Sequence, residues 1–125
     1  MTKTIITIIV SVSLLFLCSY GEFKEINDTF DAFYTFLEQT EIKIKNGNVT
    51  VQDTVALKNF WLTKKKSLHI WIPHTDIKEV DLWLGETIAF TENGKLDEAA
   101  TKIVVLKGLA KQIPETYSIR LENIF

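Results

Sequence analysis

The chain has 125 residues, a net charge of −2 and one cysteine, with 46% hydrophobic and 24% charged residues. A slightly acidic chain lacks the basic surplus with which proteins hold nucleic-acid phosphates, so no nucleic-acid partner is predicted. The charged fraction is too low for an intrinsically disordered chain, and a lone cysteine excludes an intramolecular disulfide. The composition therefore predicts one folded domain that is stabilised by its core.

Residues 1–21 form the most distinctive segment. Ile5–Tyr20 carries no charge, and the helix from Thr4 to Gly21 would span about 27 Å, against a hydrocarbon core of about 30 Å. This length is short for a membrane span but long for the core of a signal peptide. Ser19-Tyr20-Gly21 also offers a small–x–small cleavage pattern. We predict an uncleaved transmembrane anchor; the alternative is cleavage near Gly21 followed by secretion.

The charges on either side of this segment predict its orientation. Lys3 is the only basic residue before the apolar run, whereas Glu22, Glu25 and Asp28 lie just beyond it with Lys24. The positive-inside rule then places the N-terminus in the cytoplasm and residues 22–125 outside it.

The apolar residues after Gly21 follow alternating steps of three and four, which is typical of helices in a bundle. The first helix has the buried seam Phe23, Ile26, Phe30, Phe33, Leu37, Thr40 and Ile44. Gly47 is predicted to end it. The second helix is predicted to begin at Thr50, with Asp53 completing a capping box, and to end at Pro73. Its predicted inward residues are Leu57, Trp61, Leu68 and Trp71, widened by Val55, Leu62 and Ile72.

The third helix is predicted to be capped by Thr75 or Asp76 and to be stopped by Gly94. Its inward residues are Ile77, Val80, Leu84 and Ile88, with Trp83 on the flank. The fourth helix has the seam Leu96, Ala99, Ile103, Leu106, Ala110, Ile113 and Tyr117. Pro114 lies inside this seam, which predicts a kink or an irregular last turn there.

The segment Ile42–Val51 permits a second interpretation. Its apolar and polar residues alternate about Asn46-Gly47, and such a pattern is the strongest short-range signal for a β-hairpin. A lone hairpin is only marginally stable in water, so we favour a helix–turn–helix. Asn-Gly recurs at Asn93-Gly94, which suggests two related helical hairpins.

Few residues suggest chemistry. His69 and His74 lie five apart, not at the spacing that places two metal ligands on one helix face, although Asp76 could complete a small site with His74. The acids Asp76, Glu79, Asp81 and Glu86 are interpreted as surface residues, with paired catalytic carboxylates as the alternative. No catalytic, cofactor-binding or metal-binding residue is predicted.

The basic run Lys64-Lys65-Lys66 is predicted to be a solvated helix face, with contact to anionic lipid headgroups or to a nucleic-acid backbone as the alternatives. The three tryptophans are predicted to be core anchors; an exposed tryptophan would instead mark an interface.

The whole chain resembles the bacterial domain-of-unknown-function family 4363. The matching features are the N-terminal membrane segment, a helix with a central Trp61, the segment His74–Val80, the Asn-Gly turn before Leu96-Asp97-Glu98-Ala99, and the ending Ile119–Phe125. The resemblance implies a membrane-tethered, all-helical domain outside the cytoplasm of a low-GC Gram-positive bacterium, and it supplies no activity. Pro73, Pro114 and the Ile42–Val51 alternation depart from the family's pattern, which affects the predicted helix ends.

We therefore predict an all-α fold, an antiparallel bundle of about four helices over residues 22–125, preceded by a transmembrane or signal helix over residues 1–21. The leading hypothesis is a non-enzymatic, membrane-anchored adaptor or accessory subunit of a membrane or envelope complex, with the membrane and an unidentified protein as partners. The second is a cleaved, secreted helical binding module, and the third is a hydrolase or metal site near His74 and Asp76. Residues 121–125 are predicted to dock on the bundle, with docking on a partner as the alternative.

Overall fold

The computed structural model describes residues 1–124, with side chains through residue 119. Helix α1 comprises Thr2–Lys45, α2 Val51–Leu68, α3 His74–Glu92 and α4 Leu96–Ile124. No strand occurs in the described part of the chain, so the all-α prediction is confirmed. The predicted docking of residues 121–125 concerns side chains outside the described residues.

Two identical turns end α1 and α3. Gly47 and Gly94 have φ values of 74° and 71°, a left-handed conformation that glycine adopts without a Cβ penalty. In each turn the glycine N–H donates to the carbonyl three residues back, and the next N–H donates five residues back. This is the Schellman pattern, and the predicted helix stops are confirmed. The alternative hairpin over Ile42–Val51 is wrong, because α1 continues to Lys45 and the Asn-Gly pair closes a helix.

The capping box at the start of α2 is confirmed. Thr50 accepts a hydrogen bond from the Asp53 N–H at 3.2 Å, and the Asp53 carboxylate accepts one from the Thr50 N–H at 2.9 Å. Two of the backbone donors at the start of the helix are thereby satisfied.

The predicted boundary between α2 and α3 is wrong in detail. α2 ends at Leu68, and residues 69–73 form a connecting segment that we call the corner. Within it, the N–H groups of Trp71 and Ile72 both donate to the Leu68 carbonyl. The N-cap of α3 is Pro73, not Thr75 or Asp76. The Pro73 carbonyl accepts the first N–H bonds of the new helix, from Asp76 and Ile77.

The early end of α2 changes which residues face inward. Ile72 is buried as predicted, but Trp71 is 40% exposed. Val55 and Leu62, predicted to widen the inward stripe, are 40% and 41% exposed. The inward stripe of α2 is therefore narrower than predicted.

The four helices form a closed ring in which each packs against two neighbours, in the order α1, α2, α3, α4. Short connections make consecutive helices antiparallel, as predicted. The backbone of α4 approaches α1 and α3 more closely than α2 approaches its neighbours. The difference follows from side-chain size, because α4 buries Ala99 and Ala110 whereas α2 buries Trp61.

The core occupies the axis of this ring. Its buried apolar residues are Ile26, Phe30, Phe33, Leu37, Ile44, Leu57, Trp61, Leu68, Ile72, Ile77, Val80, Leu84, Ala99, Ile103, Leu106, Ala110 and Ile113. The predicted seams of α1 and α4 are confirmed, with the terminal members Phe23, Leu96 and Tyr117 half-buried. Pro114 lies inside α4, which continues to Ile124, so the irregular last turn predicted there is wrong and the alternative kink stays a prediction.

Candidate functional site

The N-terminal half of α1 has the surface of a membrane helix. Every large apolar side chain from Ile5 to Leu17 exposes between 45% and 68% of its surface. The Thr7 hydroxyl donates to the Lys3 carbonyl at 2.8 Å, which satisfies a polar group within the helix as a hydrocarbon environment requires. This helix is long and apolar enough to cross a membrane, and a signal sequence near an N-terminus meets the same criteria.

α1 passes from this apolar segment into the bundle without a break. The change in surroundings occurs within two turns, from Tyr20, which is 69% exposed, to Ile26, which is 2% exposed. Between them, the ring of Phe23 stacks on Tyr117 of α4 with centroids 6.3 Å apart. Burial, together with the charge of Glu22, raises the pKa of Tyr117. We call this end of the bundle the entry end. It comprises residues 22–26 of α1, the corner, and the region of α4 around Tyr117.

The corner and the first residue of α3 each carry a histidine, and the corner also carries two exposed apolar residues, Ile70 and Trp71. His69 is the C-cap of α2 and His74 begins α3, and both side chains are exposed. The turn brings their rings to a centroid distance of 5.7 Å, a proximity that their sequence spacing did not predict. Residues 1–119 hold no group of three or more histidine, cysteine, aspartate or glutamate side chains placed to bind a metal. The metal-site hypothesis at His74 and Asp76 therefore lacks a third ligand among these residues.

Asp81 has a structural partner that the sequence did not reveal. Its carboxylate accepts a hydrogen bond from the indole N–H of Trp61 at 2.7 Å and another from the Lys65 ammonium at 2.6 Å. Trp61 is 1% exposed and its polar atom needs such a partner. Asp81 was predicted to be a surface acid; it joins α2 to α3 instead. Trp61 is confirmed as a core anchor.

The remaining predicted acids do not converge. Glu86 lies 3.3 Å from the Lys102 ammonium, which also lies over the ring of Trp83 at 4.5 Å. Glu79 is exposed, and Asp76 is half-buried at the start of α3. Asp81 and Glu86 thus pair with lysines and not with each other.

Glu41 is the buried carboxylate that the sequence analysis missed. It is 8% exposed, and its two oxygens lie 2.9 Å from the Lys45 ammonium and 3.2 Å from that of Lys107. The Lys107 contact is a charge contact without hydrogen-bond alignment. Burial raises the pKa of Glu41, but the two ammonium groups outweigh burial and hold it below its ordinary value. The ionised Glu41 carboxylate of α1 therefore forms an ion pair with Lys107 of α4, which helps to hold the two helices together.

Lysines of α4 also cover an aromatic ring on α1. The ammonium groups of Lys107 and Lys111 lie 5.2 Å and 5.0 Å from the centroid of the Tyr34 ring. Burial lowers the pKa of Lys107, and the contact with Glu41 more than reverses this, so the net pKa is raised. These contacts again join helices, and no sequence motif marks them, because the partners lie far apart in the chain.

A protein-family model covers most of the chain. The sequence model of the domain of unknown function DUF4363 matches residues 20–124. The chain belongs to this family. No curated protein and no solved structure matches it. The matched region of this DUF4363 protein begins where the uncharged run ends, and it covers the whole bundle.

Proposed function

We propose that this DUF4363 protein is a non-enzymatic, membrane-anchored adaptor or accessory subunit of a membrane or envelope complex. The observation that supports the proposal is the difference in surface between the two halves of α1. Its first half exposes an unbroken apolar surface, and its second half supplies one wall of the bundle core. A single rigid helix with these two halves couples the position of the bundle to that of the membrane.

The flanking charges support an orientation with the bundle outside the cytoplasm. Lys3 is the basic residue before the apolar segment, and Glu22, Glu25 and Asp28 follow the segment together with Lys24. Basic residues are retained on the cytoplasmic side of a membrane span. The described ion pairs also favour a structural role, because those of Glu41, Asp81 and Glu86 with lysines each stabilise the arrangement of helices.

Anchoring can be tested by placing charge in the apolar segment. In the variant Ile9→Arg with Val12→Arg, both sites are more than 40% exposed, so the change removes no core contact. Each arginine near the middle of a span costs about 2.5–3.5 kcal/mol of insertion free energy. The proposal predicts that the variant leaves the carbonate-washed membrane fraction while the parent chain stays in it.

The matched control is Val55→Arg with Leu62→Arg on the outer face of α2, where exposure is similar. This control should remain in the membrane fraction. If both variants stay in the membranes to the same extent, the apolar segment is not the anchor.

The adaptor role needs a partner, which photo-crosslinking can detect. Leu82 on α3 and Val104 on α4 are 58% and 57% exposed and are suitable positions for a photoreactive residue. Cross-linking in intact membranes should join the chain to a different protein. Recovery of only the chain itself from both positions would contradict the adaptor role.

A second candidate is the cleaved, secreted binding module. It is favoured by the position of the first buried residue, Ile26, because cleavage after Gly21 would leave the entire described core intact. N-terminal sequencing of the mature chain discriminates between the two. A start at Glu22 supports secretion, whereas an intact Met1 excludes it.

A further inference from the structure

The corner presents apolar side chains at the entry end of the bundle. Ile70 is 74% exposed and Trp71 is 40% exposed, although both are large and apolar. They line a cleft of about 460 Å³ together with Glu22, Glu25 and Ile26 of α1. The corner is therefore held beside the residues that follow the apolar segment directly.

The height of the corner above the membrane follows from helix geometry. The uncharged run ends at Tyr20, so Glu22 and Ile26 lie about 3 Å and 9 Å farther along α1 at a rise of about 1.5 Å per residue. The headgroup layer adds roughly 5–8 Å on each side of the hydrocarbon core. Residues at the level of Glu22 to Ile26 consequently lie within or just above the headgroups when the apolar segment spans the bilayer.

The chemistry of this end suits the same layer. Tryptophan prefers the boundary between headgroups and hydrocarbon. Lys64 lines the same cleft and Lys66 lies two residues farther along α2, and both are exposed, whereas Lys65 is held by Asp81. Exposed ammonium groups close to the bilayer would attract anionic lipid phosphates.

We propose that the entry end is a second membrane contact, in which Ile70 and Trp71 insert among the lipid headgroups and Lys64 and Lys66 hold anionic lipid. This inference rests on the proposed anchoring by α1. Contact at two points would fix the tilt of the bundle relative to the membrane, because the membrane-spanning part of α1 alone leaves this tilt unrestrained. The distal turns at Gly47 and Gly94 would then face away from the bilayer.

Quenching by brominated lipid tests the contact on the full chain in vesicles of phosphatidylcholine with and without phosphatidylglycerol. Trp61 is buried, and Trp83 lies about 13 Å along α3 from its first residue, so Trp71 should account for most of the quenching. Trp71→Phe should remove it, whereas Trp83→Phe should not. Lys64→Gln with Lys66→Gln should lower the extra quenching that phosphatidylglycerol produces.

A spin label gives an independent measurement. In a Cys18→Ser background, a label at Ile70→Cys should be shielded from a water-soluble nickel reagent and accessible to oxygen. The control label at Asn93→Cys, in the exposed distal turn, should be open to nickel. If the chain floats with the vesicles but the Ile70 label is as open to nickel as the control and Trp71 is unquenched, the second contact is refuted and the anchor stands. If the chain does not float with the vesicles, the proposed anchoring itself fails.

Discussion

The hydrogen bond between Trp61 and Asp81 should contribute a large part of the free energy of unfolding of the bundle. Trp61→Phe keeps an aromatic ring beside Phe33, whose centroid lies 5.2 Å away, but it removes the indole N–H that lies 2.7 Å from the Asp81 carboxylate. A hydrogen bond to a charged group contributes about 1.5–3 kcal/mol. The smaller ring leaves a void in a site that is 1% exposed, which adds roughly 1 kcal/mol. The expected loss is about 2.5–4 kcal/mol, against a typical domain stability of about 5–15 kcal/mol.

Urea unfolding of the full chain in detergent micelles, followed by far-ultraviolet circular dichroism, measures this loss without relying on tryptophan fluorescence. Trp83→Phe is the matched control, because Trp83 is half-buried and its contact with Lys102 is one that a phenyl ring retains. The control should lose less than about 1 kcal/mol. Asp81→Asn keeps an acceptor for the indole but loses the pair with Lys65, and it should cost about 1 kcal/mol. If Trp61→Phe costs no more than Trp83→Phe, the assignment of Asp81 as the partner that stabilises the core is wrong.

Three further predictions use the same unfolding assay. Gly94→Ala should lower the free energy of unfolding by about 1–2 kcal/mol, because Gly94 has a left-handed φ of 71°. The control Gly85→Ala lies inside α3 with open space around it and should raise the free energy of unfolding by roughly 0.5–1 kcal/mol. Equal effects of the two substitutions would contradict the Schellman assignment. Thr50→Ala should cost about 1 kcal/mol through loss of the capping box, and Thr63→Ala on the exposed face of α2 should cost measurably less. Folding lowers the pKa of Glu41 from its ordinary 4.5, so its stabilising effect is complete above that pH and is lost as the pH falls toward the folded-state pKa. Glu41→Gln should therefore flatten part of the acid limb of the stability profile, and an unchanged acid limb would contradict the ion-pair assignment.

The seams were predictable because burial follows the helical period. Phe30, Phe33 and Leu37 of α1, and Ile103 and Leu106 of α4, each lie where steps of three and four place them. The helix stops were predictable as well, because a glycine at the end of a helical pattern is a local C-cap signal. In such places the neighbouring residues alone determine the structure.

The errors occurred where distant residues determine the outcome. Trp71 was assigned to the inward stripe because the helical period was extended as far as Pro73, but the chain leaves the helix at Leu68 and buries Ile72 instead. Glu41 was missed because a buried carboxylate depends on Lys107, which comes from the opposite end of the bundle's sequence. The histidine proximity depends on the corner geometry for the same reason.

The central claim is that α1 remains intact and holds the bundle on the membrane. Intact-mass measurement of the chain from carbonate-washed membranes tests this claim most directly. The account predicts that the membrane fraction contains the chain with residues 1–21 retained, near 14.3 kDa. A chain that begins at Glu22 and is recovered in the soluble fraction would contradict it.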